Sequence, residues 1–403
     1  MASPLVHVIG AARSPFGRFG GSLRTLSLPE LGSYVVERAL ERVGVAPADV
    51  DEVALGVNFP GSDRSVARQV QLRAGIPDDR TAYTVDRACC SSLTAINLAA
   101  KSIRLGEART AVAGGVENLS RVPYFLETAR FGQRLGDVVL SDQLVVACPH
   151  SGVARAVQAS LEAAAYGIGR AEQDEWACRS QERYAEAHAS GFFDDEITTV
   201  SLQDAAGRLV ELDRDEVPRP GTTISALAEL PTVNGSDTVT AGNAPDLSSG
   251  AAVLVLRGGE LDDAPSLASI VGWSAAAGDP QHIASMPAVA GLLALKHAGI
   301  TLDEVDVIEI NEAFAAVPLV SNLVLAGGDA TLASELATRT NVNGGAIAIG
   351  HPTGATAARL VMTAINELRR RGGGIGLVCI CGGIGEAESL VVEVPGPRTG
   401  SDT

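Results

Sequence analysis

The chain has 403 residues, of which 46% are hydrophobic and 20% charged, and a formal net charge of −17. Length and apolar content specify a folded protein of more than one domain with a large core, which excludes a disordered chain. The acidic balance excludes a broad basic face for nucleic acid, so an anionic ligand needs a local arginine patch.

In chain order, His7 to Ala12 reads as a strand, followed by the turn-rich Arg13-Ser-Pro-Phe-Gly-Arg-Phe-Gly-Gly21. The spacing predicts a helix over Leu28 to Val43, a strand over Val53 to Val57 and a helix over Ser65 to Ala74. Thr81 to Val85 is a strand, Ser92 to Arg104 a helix, and Thr110 to Val116 a strand leading into Val-Glu-Asn118. Between residues 119 and 248 lies a helical run, Ala171 to Ser190, and then a polar, Pro-rich stretch through Pro220. No apolar run approaches the roughly 18 residues of a membrane-spanning helix, and the first residues lack a basic-then-apolar signal pattern. The expectation is a cytoplasmic protein. The six cysteines, at 89, 90, 148, 178, 379 and 381, form neither a disulfide framework nor a paired Cys-x-x-Cys zinc pattern, and no metal site is expected.

The turn around Cys89 and Cys90 holds the first chemistry-bearing group. A cysteine at the start of a helix feels the positive end of the backbone dipole, which favours the nucleophilic thiolate. The alternative is that both cysteines are small core hydrophobes.

The chain then repeats itself. Ala39-Leu-Glu-Arg-Val-Gly-Val-Ala-Pro-Ala-Asp-Val-Asp51 matches Ala294-Leu-Lys-His-Ala-Gly-Ile-Thr-Leu-Asp-Glu-Val-Asp306 at a constant offset of 255 residues. Thr94-Ala-Ile-Asn97 recurs as Thr363-Ala-Ile-Asn366. Two matches in the same order argue for duplicated halves, each expected to form a mostly parallel sheet with helices on its faces. Residues 119–248 have no counterpart and read as an insertion. In the second half the equivalent of the Cys89 turn is Asn341-Val-Asn-Gly-Gly-Ala-Ile-Ala-Ile-Gly-His-Pro-Thr-Gly354. Pseudo-symmetry brings Cys89 and His351 towards one axis, and a cysteine facing a histidine is an activated-nucleophile arrangement.

These residues resemble the thiolase family over nearly the whole chain. The resemblance is carried by Gly10 to Leu23, Val85-Asp-Arg-Ala-Cys89, Gly114-Gly-Val-Glu-Asn-Leu-Ser120, Gly242-Asn-Ala with Ser249-Gly-Ala-Ala252, Asn311-Glu-Ala-Phe-Ala315, Gly350-His-Pro-Thr-Gly-Ala355 and Cys379-Ile-Cys-Gly-Gly-Ile-Gly385. It implies an α/β fold of two pseudo-symmetric αβα halves in an αβαβα arrangement with an inserted loop domain. The implied divisions are 1–118 with about 249–268, the insertion 119–248, 269–396, and a tail at 397–403. It also implies an acyl-CoA C-acyltransferase of the kind found in fatty acid metabolism. Such an enzyme performs reversible Claisen condensation of acyl-CoA with acetyl-CoA, or thiolysis of 3-ketoacyl-CoA. Coenzyme A is a substrate, with no permanently bound cofactor, and the protein is a homodimer or homotetramer.

Carried onto this chain, Cys89 holds the acyl group and His351 takes its proton. Asn311 holds an oxyanion-hole water, and Cys379 exchanges the α-proton. Ala313, Phe314, Cys381 and Gly382 line the substrate, and Arg219 meets the adenine nucleotide of coenzyme A. Several positions depart from the family pattern. Cys90 and Ser92 replace small residues after the nucleophile, and Cys381 stands in a usual glycine position, although Cys381-Gly-Gly383 also spells Cys-x-Gly. Pro245 replaces a serine, and Ile283-Ala-Ser-Met-Pro287 replaces a Gly-rich stretch. The segment that carries a methionine near the acyl group in many members reads Ser151-Gly-Val-Ala-Arg-Ala-Val157. The alternatives are a ketoacyl-synthase-like condensing enzyme and a non-catalytic partner subunit that keeps the fold.

Overall fold

The computed structural model describes residues 5–145, 147–203, 207–259 and 266–396. The expected tail at 397–403 lies outside the described residues. Among these, the main-sheet strands are β1 (Val6–Arg13), β2 (Glu52–Gly56), β3 (Thr81–Val85), β4 (Thr110–Asn118), β5 (Ser248–Gly258), β6 (Ala268–Ala277), β7 (Val305–Ile310), β8 (Gly374–Cys381) and β9 (Glu386–Val394). The helices that place the site are α1 (Leu28–Val43), α2 (Val66–Arg73), α3 (Ser91–Leu105), α4 (Arg155–Ala165), α5 (Arg170–Ala189), α6 (Met286–Ala298), α7 (Ala316–Leu325) and α8 (Thr356–Arg371).

Local chemistry explains where the helices start and stop. Ser27 caps α1 by accepting from Glu30 N–H, while the Glu30 carboxylate accepts from the Ser27 N–H, and Pro29 sits in the first turn. The repeated glycines end their helices alike: Gly44 after α1 and Gly299 after α6 have φ of 63° and 70°, a left-handed turn that side chains resist. Each is followed by a short 3-10 turn and then a strand, β2 or β7. The sequence repeat is therefore a structural repeat.

The strand order is β7-β8-β9-β6-β1-β5-β4-β2-β3, with the two-residue strand Gly17–Arg18 pairing β5. The expected mostly parallel sheets are not found. Parallel pairing is confined to β2 with β3, β2 with β4, and β7 with β8. β8 and β9 form a hairpin, and β5 returns from the long insertion antiparallel to both β4 and β1. Hairpins demand antiparallel pairing, whereas only a helical crossover delivers a parallel neighbour.

One apolar layer lies between the two ends of the sheet and two more pack on their outer faces. Leu31 and Val35 of α1 and Val70 of α2 pack on Val53 and Val112. Leu295 of α6 and Val320 of α7 pack on Ile308 and Leu377 at the other end. Between them, Leu93 and Ile96 of α3 meet Leu360, Val361 and Ile365 of α8, with Val378, Ile380 and Leu254 on the flanking strands. The order is helices, sheet, α3 with α8, sheet, helices. Each fully buried leucine or isoleucine here contributes about 1.5–3 kcal/mol of transfer free energy. The central pair is decisive for function, because the turns preceding α3 and α8 carry Cys89 and His351. A hydrogen bond from Ala358 N to Ser92 Oγ, 3.1 Å, ties the two helix starts together. The insertion contributes α4 and α5 and two small strand pairs that do not join the main sheet.

Candidate active site

Cys89 follows Ala88, whose φ of 48° is in the left-handed region although alanine has a Cβ. Such strain is held in place by the surroundings and marks functional turns. Here the Ala88 carbonyl accepts from Ser91 Oγ at 2.6 Å, and Ser91 Oγ accepts from Arg87 N at 2.9 Å. Cys90, not Cys89, is the N-cap of α3. The Cys90 side chain is fully buried and its sulfur lies 3.5 Å from the Ile380 carbonyl. The core reading thus holds for Cys90 but not for Cys89, which is partly exposed.

His351 Nε2 lies 3.1 Å from Cys89 Sγ. Its Nδ1 lies 2.7 Å from Thr356 Oγ1, and Thr356 donates its own hydroxyl proton to Pro352 O at 3.0 Å. A hydroxyl has one proton, so Thr356 accepts from Nδ1–H and the bare Nε2 faces the thiol. Burial, with Arg359 adding to it, pulls the His351 pKa down to about 3, so the ring is neutral near pH 7. Burial likewise pushes the Cys89 thiol far above its ordinary value. Desolvation thus favours the thiol, against the thiolate expected from the start of a helix. Attack by Cys89 requires the proton to move to His351 as the new bond forms.

Asn311 stands at the end of β7, with Nδ2 at 3.4 Å from His351 Nε2 and a buried Oδ1 that has no partner. The three groups read from sequence as nucleophile, base and oxyanion holder are together.

Cys379 is not with them. It lies on the β8 face that packs under α6, in the cluster with Leu377, Leu325 and Ile310. Its sulfur is 3.4 Å from Ser389 Oγ, and 3.0 Å from where a Cβ on Gly291 would stand. The neighbouring residues Val378 and Ile380 face the central layer instead. Cys381, at the strand end, is the second sulfur whose charge is felt by Cys89. Burial pushes the Cys381 thiol up to about 11, while Arg155 and the Gly383 N–H pull it down. The expectation that Cys379 transfers the proton is not matched by its position: Cys379 and Cys381, two apart on β8, share one face of the strand, but Cys379 sits deeper, in the cluster beneath α6, and Cys381 at the strand end is the sulfur that Cys89 feels. Next to Cys381, the Gly382 N–H donates to Glu386 O at 2.7 Å inside the hairpin.

Several positioning groups carried no isolated sequence signal. Arg87 donates to Glu386 Oε2 at 3.0 Å and to Glu388 Oε1 at 2.8 Å, clamping the hairpin that carries Cys381 to the turn that carries Cys89. Glu117, inside the Gly-Gly-Val-Glu-Asn motif, accepts from Thr353 Oγ1 at 2.8 Å, Gly354 N at 2.9 Å, and Asn58 and Phe59 N–H at 3.0 Å. It holds the His351 turn against the first half. Gly115 permits that approach, since a Cβ there would stand 1.9 Å from Gly354 O. Glu312, next to Asn311, binds Trp176 and Ser180 of α5 and the Ile347 N–H, fixing the segment ahead of His351.

Ala313 and Phe314 are half-buried in the packing of α7. The Arg219 guanidinium bonds to Ala241 O at 2.9 Å and Asp246 Oδ1 at 2.5 Å, so this charge is already paired within the chain. Among the described residues no cluster of His, Cys, Asp or Glu suited to a metal ion occurs.

Residues 6–260 match the family described as Thiolase, N-terminal domain, and residues 264–394 match Thiolase, C-terminal domain. The chain belongs to the thiolase family. An acetyl-CoA acetyltransferase of Pseudomonas aeruginosa is 40% identical over 395 residues, covering 96% of this chain and 98% of that protein. A beta-ketoadipyl-CoA thiolase of Acinetobacter baylyi is 39% identical over 403 residues, covering 96% and 98%. The crystal structure of human mitochondrial 3-ketoacyl-CoA thiolase in complex with CoA superposes with a TM-score of 0.89 at 34% identity, covering 97% of this chain and 98% of that one. This thiolase thus has the layered fold of its relatives, and the two halves matched separately by the family are the two halves of the repeat.

Proposed function

We propose that this thiolase is an acyl-CoA C-acyltransferase working through an acyl group on Cys89, with Cys381 as the α-proton base. The observation that carries the reading is the 3.1 Å contact of Cys89 Sγ with the bare Nε2 of a buried, neutral His351.

In the first half-reaction Cys89 sulfur attacks the thioester carbonyl and its proton passes to His351 Nε2. The coenzyme A sulfur leaves with the proton of Cys381. The acyl-enzyme then stands beside a Cys381 thiolate and a His351 imidazolium, opposite charges that stabilise each other in a desolvated site. In the second half-reaction Cys381 takes the α-proton of acetyl-CoA. The enolate carbon attacks the acyl carbonyl, and Cys89 leaves and recovers its proton from His351. Thiolysis is the same sequence reversed. The unpaired Asn311 Oδ1 supports a role in ordering a water at the oxyanion, a donor worth roughly 3–4 kcal/mol in the transition state. The synthase and non-catalytic readings lack support: a second cysteine base lies by Cys89, and full-length relatives are acyltransferases.

Acyl-chain choice is open between the acetyl and longer chains named for the relatives. A homodimer or homotetramer is supported by β3, an edge strand with one unpaired side, and by Phe131 and Leu135, 90% and 93% exposed. Six free cysteines support a reducing, cytoplasmic setting. The test is intact-protein and peptide mass spectrometry after exposure to acetyl-CoA. One acetyl group on Cys89, absent in Cys89→Ala, is expected; acetylation at Cys90 or Cys148 instead contradicts the reading.

A further inference from the structure

Arg155 opens α4, and its guanidinium reaches the hairpin that carries Cys381. The Arg155 Cζ and Nη2 atoms lie 3.5 Å from where a Cβ on Gly383 would stand. Its positive charge is felt by Cys89, by Cys381 and by Cys148. It is therefore a cation in the pocket where the acyl group is transferred.

Among the described residues no carboxylate pairs with that cation. Its side-chain hydrogen bond goes from Nη1 to Gln158 Oε1, a neutral amide, at 3.2 Å. Arg13, Arg359 and Arg87 are paired with acids, Arg13 with Glu196 and Asp215, Arg359 with Glu309, Arg87 with Glu386 and Glu388, while Arg104 and Arg179 lie over Trp273 and Trp176 and Arg183 donates to backbone carbonyls. The nearby acids are already committed. Both oxygens of Glu162 accept from the N–H groups of Ile283, Ala284 and Ser285 and from Ser285 Oγ. Glu117 is committed to the His351 turn.

A half-buried guanidinium without a carboxylate partner is poorly compensated in the resting enzyme, and an anion on the substrate would pair with it. The phosphates of coenzyme A sit at the far end of the pantetheine arm from the thioester, and the thioester itself is neutral. The acyl chain is the part of the substrate that can bring a negative charge to this end. We propose that Arg155 is a specificity-determining residue that pairs with a carboxylate at the end of the acyl chain. The favoured substrates are then 3-ketoacyl-CoA thioesters of dicarboxylic acids. The planar fork suits a carboxylate bidentately. This inference rests on the acyl transfer to Cys89 proposed above.

The test compares thiolysis of 3-ketoadipyl-CoA with thiolysis of 3-ketohexanoyl-CoA, a chain of the same length that ends in a methyl group. The wild type is expected to favour the carboxylated substrate in kcat/KM by about 10- to 100-fold, the range of a charge-assisted pair. Arg155→Met is expected to collapse that ratio towards one, and Arg155→Lys to keep part of it. Acetylation of Cys89 by acetyl-CoA, followed in the same preparations, reports that the variants are folded and the nucleophile is competent. A wild type that is acetylated on Cys89 yet shows no preference overturns the carboxylate assignment alone. So does an Arg155→Met variant that loses both substrates in equal proportion, since Arg155 would then act only on the thiols. A wild type never acetylated on Cys89 overturns the acyl-transfer reading itself.

Discussion

Thr356 Oγ1 lies 2.7 Å from His351 Nδ1, and this contact decides which imidazole nitrogen faces Cys89. Thr356→Val keeps the shape but removes the acceptor, so the other tautomer becomes available and Nε2–H would point at the thiol. Acetylation of Cys89 is expected to slow by about 100-fold, the lower end of the range for a positioned base. The check is the pre-steady-state rate of acetyl transfer from acetyl-CoA. An unchanged rate would remove Thr356 from the relay.

The depressed His351 pKa sets the acid limb of that rate. The group accepts the Cys89 proton only when neutral, and it becomes protonated only as pH falls through about 3. Acetylation of Cys89 in the free enzyme is therefore expected to persist between pH 7 and pH 5, rather than halving near the ordinary histidine value of about 6.5. A rate-against-pH profile that titrates near 6.5 would show that His351 is not desolvated as described.

Arg87 links the two halves of the reaction without touching the reacting atoms. Arg87→Met leaves Glu388, only 4% exposed, without its ion pair. The expected cost is about 2–3 kcal/mol of stability, below that of a fully buried pair because Arg87 keeps some solvent contact. The hairpin over residues 382–386 is expected to exchange its amide protons faster. α-Proton exchange should fall about tenfold, while Cys89 acetylation falls less. Equal losses in both half-reactions would argue that Arg87 shapes the Cys89 turn alone.

Much of this was legible in the sequence because the duplication is written there. The matches around Gly44 and Gly299 and around Thr94 and Thr363 located α3 and α8, and hence placed Cys89 opposite His351. Glu117 and Gly115 sat inside a motif already singled out, but their reason, the close approach of the Gly354 turn, exists only in three dimensions. Sheet direction was misread because a helix after a strand was taken to imply a parallel neighbour, while the long insertion and the β8–β9 hairpin return antiparallel. Glycine spacing does not tell Cys379 from Cys381, and neither does strand alternation, because the two are two residues apart on β8 and share a face. Val378 and Ile380 face the central helices, so both cysteines turn away from them, and depth along the strand leaves Cys379 beneath α6 and Cys381 at the strand end. The direction in which burial shifts the Cys89 thiol cannot be read from a turn.

The most direct test of the account is loss of α-deuterium from labelled acetyl-CoA, measured beside acetylation of Cys89 in Cys381→Ala and Cys379→Ala. Cys381→Ala is expected to accept an acetyl group on Cys89 yet lose exchange by at least about 100-fold, the scale of a removed general base. Cys379→Ala removes a buried sulfur beneath α6, so it is expected to lose about 1 kcal/mol of stability and to retain exchange. Exchange lost in Cys379→Ala and kept in Cys381→Ala would contradict the assignment of Cys381 as the base.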